Sequence, residues 1–487
     1  MTSRPLPPSS TETEVSAAVA LHGKRVLVMG LGLHGGGLGV TRWLIGQGAE
    51  VTVTDLKTAE QLRASVAALV GQPVRFVLGR HDAADFATAD LVIRNPGVPS
   101  QSPYLQIARD HGVPVEMEMG LFFHLCPAPI LAVTGTKGKT TVTSLTGAII
   151  RRSRPDAVIA GNIAGGSQQW HGDLPALELL PHIHADTPVI LELSSWQLEG
   201  LSVNSAPHIA AVTNVLPDHL NRYASMADYA ASKVLIFEHQ RPSDTVVLNY
   251  DNAITCGFAA EAPAKVAWFS RKCAVQGAFL AGDEIRWQWR GEVTSLASLA
   301  DVRIPGLHNV ENVLAAAALA MVWGASPQDV RAAIREFPGV PHRLEFVAQV
   351  GGVRYYDDTT ATTPDATIGA LEAFSVDVPI ILIAGGSDKG LDYAQVARAI
   401  AQRVKSVVLL GGAGTDKIES ALRAWHAGDR IAGRFDSMEK AVASARQLAT
   451  PGDVVLLSPA CASFGMFANE FQRGDQFKQL VKDLLPE

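Results

Sequence analysis

The residues Thr134-Gly135-Thr136-Lys137-Gly138-Lys139-Thr140-Thr141 stand between an apolar run, Ile130–Val133, and a helical pattern, Thr140–Arg152. A glycine-bearing turn between a strand and a helix brings backbone N–H groups close to phosphate oxygens, and the helix N-terminus adds positive potential. In such a loop Lys139 is placed for the β- and γ-phosphates of a nucleotide, and the Thr140 hydroxyl for Mg²⁺. The spacing departs from the common G-x-x-x-x-G-K-[ST] form, because Val133 stands where the first glycine would be.

Other chemistry-bearing residues follow strand-like runs. Glu192 ends the run in Leu191-Glu192-Leu193-Ser194-Ser195, and a carboxylate at a strand's C-terminal end faces the ligand crevice of an open α/β sheet. By residue type alone it is equally a solvated rim glutamate. Asp218-His219 lies just past the run Ile209–Thr213, and Lys233 falls on a helical pattern beyond it. A lone histidine and a helix lysine have structural readings as ready as functional ones. Near the start, Gly30-x-Gly32-x-x-Gly35 follows the run Arg25–Met29, with Asp55 ending the next run. That pattern resembles a dinucleotide fingerprint. Taken alone it suggests an NAD-dependent dehydrogenase, and beside a second nucleotide loop it suits a UDP-linked substrate. Lys389, in Ala384-Gly385-Gly386-Ser387-Asp388-Lys389-Gly390, can hold a carboxylate as a compact point charge or can simply be solvated. Ser458–Phe464 offers hydroxyls and N–H groups after another strand-like run.

These residues need a scaffold that brings strand ends together. Strand-like runs alternate with helical patterns along nearly the whole chain, which predicts an α/β architecture with mainly parallel sheets. A chain of 487 residues exceeds one hydrophobic core, which stops growing near ~250–300 residues. We expect a disordered tail over 1–21 and domains over 22–126, 127–340 and 341–487. Hydrophobic residues make up 47% of the chain and the net charge is −7, which disfavours a nucleic-acid binder. The four cysteines have no paired spacing. They predict neither zinc site nor disulfide framework and fit a reducing cytoplasm. No apolar run reaches the ~18 residues of a membrane span, and the first residues lack the apolar core of a signal peptide.

Taken in order, the motifs resemble the Mur ligase family. TGTKGKTT, Gly161-Asn162-Ile163, ELSSWQLE (Glu192–Glu199) and Asn214-x-x-x-Asp218-His219 are similar to its central domain, followed by His308-Asn309, Asn312 and Pro341-His342-Arg343. DDTTATTPDAT (Asp357–Thr367), AGGSDKG and SPACASF with NEFQRGDQF (Ser458–Phe477) are similar to its glutamate-adding members. The resemblance runs from about Lys24 to Phe477.

It implies three α/β domains: an N-terminal Rossmann-like domain, a central P-loop ATPase-like mixed sheet and a C-terminal Rossmann-like domain. It implies an ATP-dependent ligase that adds glutamate, D-glutamate favoured, to UDP-N-acetylmuramoyl-L-alanine through an acyl phosphate. Leu33, His34, Asp55 and Lys57 would lie near the UDP nucleotide, with Asn95 and Gly97 closing the site. Gly135, Thr136, Lys137, Gly138, Lys139, Thr140 and Thr141 would cradle ATP, and Asn309, Asn312, Arg343 and Asp358 would hold its adenosine and phosphates. Thr140 and Glu192 would face one Mg²⁺, and His219 with a carbamylated Lys233 a second. Asn162 and Ser194 would meet the muramoyl-alanine end. Thr362, Lys389, Ser463 and Phe464 would take the incoming glutamate. The working form is expected to be a cytoplasmic monomer acting on small molecules, without nucleic acid or membrane insertion. Three departures stand out: Thr360 replaces a lysine of many relatives, Gly35–Gly37 add glycines to the first loop, and Glu470 replaces an aromatic. They leave an L-glutamate-adding ligase, and more distantly a folate polyglutamate-type ligase, as alternatives.

Overall fold

The computed structural model describes residues 21–32, 36–162, 175–203, 205–218 and 222–485. Residues 1–20 of the expected tail, Leu33, His34 and His219 therefore lie outside the described residues, while Leu21, placed at the end of that tail, is buried in the core.

Three sheets account for the strands. The first has β1 (Arg25–Met29), β2 (Glu50–Asp55), β3 (Val74–Leu78), β4 (Leu91–Arg94) and β5 (Val115–Glu116) in the order β3-β2-β1-β4-β5. All of its pairings are parallel. In β1 every residue after Arg25 is buried, the near-continuous apolar run of a strand covered on both faces. The helix Gly36–Gly46 begins among the glycines of the first loop. Gly37 explains why: a Cβ there would lie 2.3 Å from the Gly30 carbonyl oxygen, so only glycine lets the helix start against the loop.

The second sheet contains β6 (Ile130–Thr134), β7 (Val158–Gly161), β8 (Val189–Glu192), β9 (Ile209–Val212), β10 (Thr245–Asn249), β11 (Lys265–Ser270), β12 (Gly277–Ala281), β13 (Glu284–Trp289) and β14 (Glu292–Ser298). Its order is β14-β13-β12-β11-β10-β9-β6-β8-β7. Pairings from β7 through β12 are parallel. The third has β15 (Glu345–Val350), β16 (Val353–Asp357), β17 (Ile380–Ala384), β18 (Val404–Leu410), β19 (Ile431–Phe435) and β20 (Val454–Leu457) in the order β15-β16-β20-β17-β18-β19. Only the β15–β16 hairpin is antiparallel among these pairings.

The chain divides into two units. One holds residues 1–281, 286–295 and 314–330, and the other holds 282–285, 296–313 and 331–487. In the first, a single hydrophobic core runs from Val26, Val28 and Leu44 to Ala132, Leu191 and Val212, joining the first two sheets. In the second, the pleat of β17 sorts Ile380, Leu382 and Ala384 to one face and Ile381 and Ile383 to the other, the period of two expected of a strand.

A half-buried acid packs beside the first core. Glu118 opens the helix Glu118–Leu125 and accepts the Ala176 N–H. Burial, with Glu178 adding like charge, pushes its carboxyl from 4.5 up to about 7. The folded state thus holds this proton more tightly than the unfolded chain. Its stabilising contribution is complete below the unfolded value and is lost as pH rises toward 7. Glu118→Gln is expected to flatten this decline: denaturation midpoints at about pH 5 and about pH 8 should differ less than in the parent. An unchanged difference would mean that this carboxyl titrates alike in both states.

Candidate active site

The glycine-bearing loop leaves the end of β6 and enters the helix Lys139–Arg151. Gly135 has φ +141, and a Cβ there would lie 1.9 Å from Thr213 Oγ1, so the turn rests directly on the residue after β9. Thr213 Oγ1 donates to the Lys137 carbonyl at 2.7 Å and Asn214 Oδ1 accepts the Lys137 N–H at 3.0 Å. Lys139 curls back over the loop, its Nζ donating to the carbonyls of Gly135 (3.0 Å) and Thr136 (3.1 Å). Gly138 is left-handed at the N-cap. Thr140 is buried and Thr141 half-buried in the first turn.

Two parallel neighbours complete this edge. Glu192 ends β8 and is 2% exposed. Ser194 caps the next short helix through a capping box with Gln197. Asn162, exposed at the end of β7, donates its N–H to the Glu192 carbonyl at 2.8 Å. Lys233, on the helix Met226–Val234, is only 1% exposed. Its Nζ lies 3.4 Å from Thr134 Oγ1 and 5.1 Å from the Tyr229 ring centre. Burial first, and the charge of Lys139 second, hold its amine well below the usual lysine range, against the opposing pull of Asp218 and Glu192. Asp218 itself pairs with Lys137 at 3.2 Å.

A cavity of about 490 Å³ lies at the C-terminal ends of the first sheet, lined by Gly30, Asp55, Lys57, His81, Asn95 and Tyr104 among others. Asp55 does not simply point into it. Its carboxylate accepts the N–H groups of Leu31 (3.0 Å), Gly32 (3.3 Å) and Lys57 (2.9 Å). It fixes the glycine loop from below. Asn95 Oδ1 accepts the Gly97 N–H at 3.1 Å, closing the turn on the opposite rim.

The second unit gathers the remaining candidates. Asn309 and Asn312 lie on the Ala-rich helix Leu307–Trp323 and bond to one another at 2.9 Å, with Asn309 Nδ2 also on the Pro305 carbonyl. Arg343 is exposed between His342 (φ 65) and Leu344 (φ 45). Left-handed non-glycine residues cost of order 1 kcal/mol or more and persist where contacts over-determine them. Here His342 Nδ1 meets Asp357 Oδ2 at 2.7 Å, and its N–H donates to Glu345 at 2.7 Å. Asp358 accepts from the Leu344 N–H and from Ser458 Oγ, and burial raises its carboxyl to about 7. Lys389 Nζ donates to Thr362 Oγ1 at 2.9 Å. Ser387 and Ala462 exchange backbone hydrogen bonds, so the lysine loop is zipped to the Ser458–Phe464 loop. Ser463 is 2% exposed, and its Oγ has no hydrogen-bond partner among the described residues. Phe464 stands exposed beside it.

Sequence reasoning missed a charged knot in the first unit. Glu199 accepts from Arg222 at 3.0 and 3.2 Å and from the Tyr223 hydroxyl at 3.3 Å, and lies 3.7 Å from Arg94. Arg222 also covers the Trp196 ring at 4.4 Å. The knot ties β4 to the segments after Glu192 and Asp218. Its members are far apart in sequence, so no local signal could reveal it.

Comparison with known proteins matches three family models. They are a Mur ligase MurD-like N-terminal domain over residues 24–116, a Mur ligase middle domain over 133–320 and a Mur ligase, glutamate ligase domain over 342–461. The chain is 51% identical over 472 residues to a UDP-N-acetylmuramoylalanine–D-glutamate ligase of Roseiflexus sp. (strain RS-1), covering 95% of this chain and 99% of that one. A ligase of the same name from Symbiobacterium thermophilum is 40% identical over 464 residues, with 95% and 98% covered. Among solved structures, a UDP-N-acetylmuramate–alanine ligase from Thermotoga maritima has the same fold, with TM-score 0.59 at 22% identity, covering 94% of this chain and 99% of that one. MurF from Acinetobacter baumannii gives 0.58 at 16% identity, covering 97% and 98%.

The charged knot generates a stability prediction. Glu199→Ala would leave Arg94, whose side chain is 5% exposed, beside Arg222 without a counter-charge. Breaking a buried pair from one side costs on the order of 3 kcal/mol. Chemical denaturation should show a loss of that size, with Glu199→Gln losing less because the amide still accepts hydrogen bonds. Parental stability in Glu199→Ala would mean that solvent already neutralises these charges.

Proposed function

The chain belongs to the Mur ligase family, and on that footing we propose how its residues join D-glutamate to the alanyl carboxylate of UDP-N-acetylmuramoyl-L-alanine, with cleavage of ATP, in peptidoglycan precursor synthesis. The observation that carries this reading is the shared edge of β6, β8 and β9: a phosphate loop with Lys139, the buried Glu192 and the buried Lys233 meet there. A dehydrogenase would leave that edge without a use. A folate polyglutamate-type ligase would leave the first sheet and its cavity without one.

The chemistry follows from the poor leaving group of a carboxylate. An oxygen of the alanyl carboxylate attacks the γ-phosphorus of ATP, the bond to ADP breaks, and an acyl phosphate forms. The amine of D-glutamate then adds to the carbonyl, phosphate departs and the amine loses a proton. Phosphoryl transfer depends mainly on positioning and on neutralising charge. We place Lys139, with the N–H groups of Gly135 through Thr141, on the β- and γ-phosphates. The curled Lys139 would exchange its bonds to the loop carbonyls for phosphate oxygens.

The donor set suits Mg²⁺, a hard cation that takes oxygen ligands. The Thr140 hydroxyl and Glu192 carboxylate would hold one ion, and His219 with Lys233 would serve a second. When bound, the metal neutralises phosphate charge. Burial that holds the Lys233 amine well below the usual lysine range favours its reaction, as the neutral amine, with CO₂, which forms a carbamate, releases a proton and supplies an anionic oxygen ligand. Asn309, Asn312, Arg343 and Asp358 are assigned to adenosine and phosphates. Asn162 and Ser194 are assigned to the muramoyl-alanine end, and Leu33, His34, Asp55, Lys57, Asn95 and Gly97 to the uridine end. Ser463, buried with an unused hydroxyl, joins Lys389, Thr362 and Phe464 around the glutamate. We set the domain limits at 22–126, 127–340 and 341–487 and take the enzyme to be a cytoplasmic monomer. No helix among the described residues is long and apolar enough to cross a membrane.

The deciding assay is phosphate release from ATP by the purified protein. It should require both UDP-N-acetylmuramoyl-L-alanine and D-glutamate, and L-glutamate should not substitute. Release without the muramoyl acceptor, or equal rates with both enantiomers, would overturn the assignment. Lys139→Ala should lower turnover by at least about a hundredfold while the melting profile stays parental. Lys389→Ala should raise the KM for D-glutamate with that for ATP unchanged. An equal effect on both would move the amino-acid site away from Lys389.

A further inference from the structure

The cavity at the end of the first sheet contains a histidine whose Nδ1 is held by a threonine hydroxyl. Thr54 Oγ1 lies 3.2 Å from the Arg80 carbonyl oxygen, to which it donates, and 2.7 Å from His81 Nδ1. A hydroxyl has one hydrogen. We take that hydrogen to lie on the Arg80 carbonyl, which can only accept; the short contact to His81 is then made by a proton on Nδ1. Nε2 is then a bare acceptor. It has no partner among the described residues, and His81 lines the cavity. The ring is held edge-on by Tyr104 (centres 4.9 Å apart) and Phe86 (5.8 Å), so it cannot readily turn to present a different atom. Burial also pushes the imidazole below its ordinary value, opposed only in part by Asp55, which keeps Nε2 free of a proton near neutral pH.

An acceptor fixed in a cavity of this size selects a ligand that offers a single N–H. Of the pyrimidine bases, uracil presents an N3–H between two carbonyls, whereas cytosine presents an acceptor at N3. We propose that His81 is the base-reading residue of this cavity: its Nε2 accepts the uracil N3–H and so discriminates uridine from cytidine nucleotides. Lys57, Asn95 and Ser102 line the same cavity and carry donors able to serve the flanking carbonyls. The proposal rests on the reading of this cavity as the uridine end of the substrate site. It adds a specificity-determining residue with a defined tautomer, which neither glycine spacing nor Asp55 supplies. Asp55 is already committed to three loop N–H groups.

The test is calorimetric binding of UDP, CDP and N3-methyl-UDP to the full-length protein and to His81→Phe, which keeps an aromatic ring against Tyr104 and Phe86 but has no acceptor. The parent should bind UDP at least roughly tenfold more tightly than either analogue, the discrimination expected when one hydrogen bond is replaced by an unpaired or repelling contact. In His81→Phe the three affinities should fall within about threefold of one another, with a parental melting profile. Undiminished preference for UDP in His81→Phe would overturn the role of His81, as would a parent that binds all three alike. Should UDP fail to bind the parent while ATP binds, the uridine reading of the cavity falls, and this assignment with it.

Discussion

Two lysines repel one another at one strand-end site, and the first unit is arranged around that constraint. Lys139 lies across the carbonyls of its own loop. Lys233, 1% exposed, has the Thr134 hydroxyl near its amine and a neighbouring positive charge against it. Desolvation and like charge act in the same direction there. One lysine is bonded to its loop carbonyls, and the other is held well below the usual lysine range beside two carboxylates. On the proposed reading, this division suits a site that neutralises a nucleotide's phosphates on one side and assembles oxygen ligands on the other.

Parallel strands make the arrangement possible. The ends of β6, β8 and β9 lie side by side, in register through Val133 with Glu192 and Thr134 with Val212. The loop, the carboxylate and the Thr213–Asp218 segment therefore emerge at one level. The second unit repeats the device independently. β16, β20 and β17 pair in parallel and end at Asp357, Leu457 and Ala384. From those ends come Asp358, the Ser458 loop and the Lys389 loop, which then bond to each other. An open sheet offers its crevice at the carboxyl ends of its strands, and both units place their chemistry there.

What the sequence made legible follows the range of the interactions involved. The glycine loop and the place of Glu192 at a strand end could be read because a strand, a turn and a helix are consecutive in the chain. The run that Glu192 ends is β8, Val189–Glu192. The strands β11 to β14 were not anticipated, since Lys265–Ser298 mixes tryptophans, arginines and small residues without clean alternation. The burial of Lys233 was illegible as well: its helix carries charge and small residues on the same face, and only the packing of Tyr229 and Thr134 around it hides the amine. The knot of Arg94, Glu199 and Arg222 depends on three distant segments meeting, and the tautomer of His81 depends on a hydroxyl whose partners belong to another strand and its loop.

The departures from the family pattern have physical readings in the same terms. Thr360, where many relatives have lysine, donates its hydroxyl to the His342 carbonyl at 2.9 Å, and its N–H points to the same oxygen. That carbonyl belongs to the left-handed turn presenting Arg343, so the substitution supports the turn. Glu470 opens the helix Glu470–Lys482, where a carboxylate complements the helix dipole, and its carbonyl accepts from Thr359 Oγ1. The side chain adds negative charge toward Lys389 and the fully buried Arg473. Arg473 is bound to Thr359 and to the Cys461 carbonyl, so its cationic charge is framed by protein. A second cation beside Lys389, with an acid between them, gives this pocket a charge balance different from that of an aromatic-lined one, without altering the strand ends that fix the reacting groups. On the proposed reading, those strand ends set the reaction type, and the charge around Lys389 is where this chain departs from the pattern the resemblance implies.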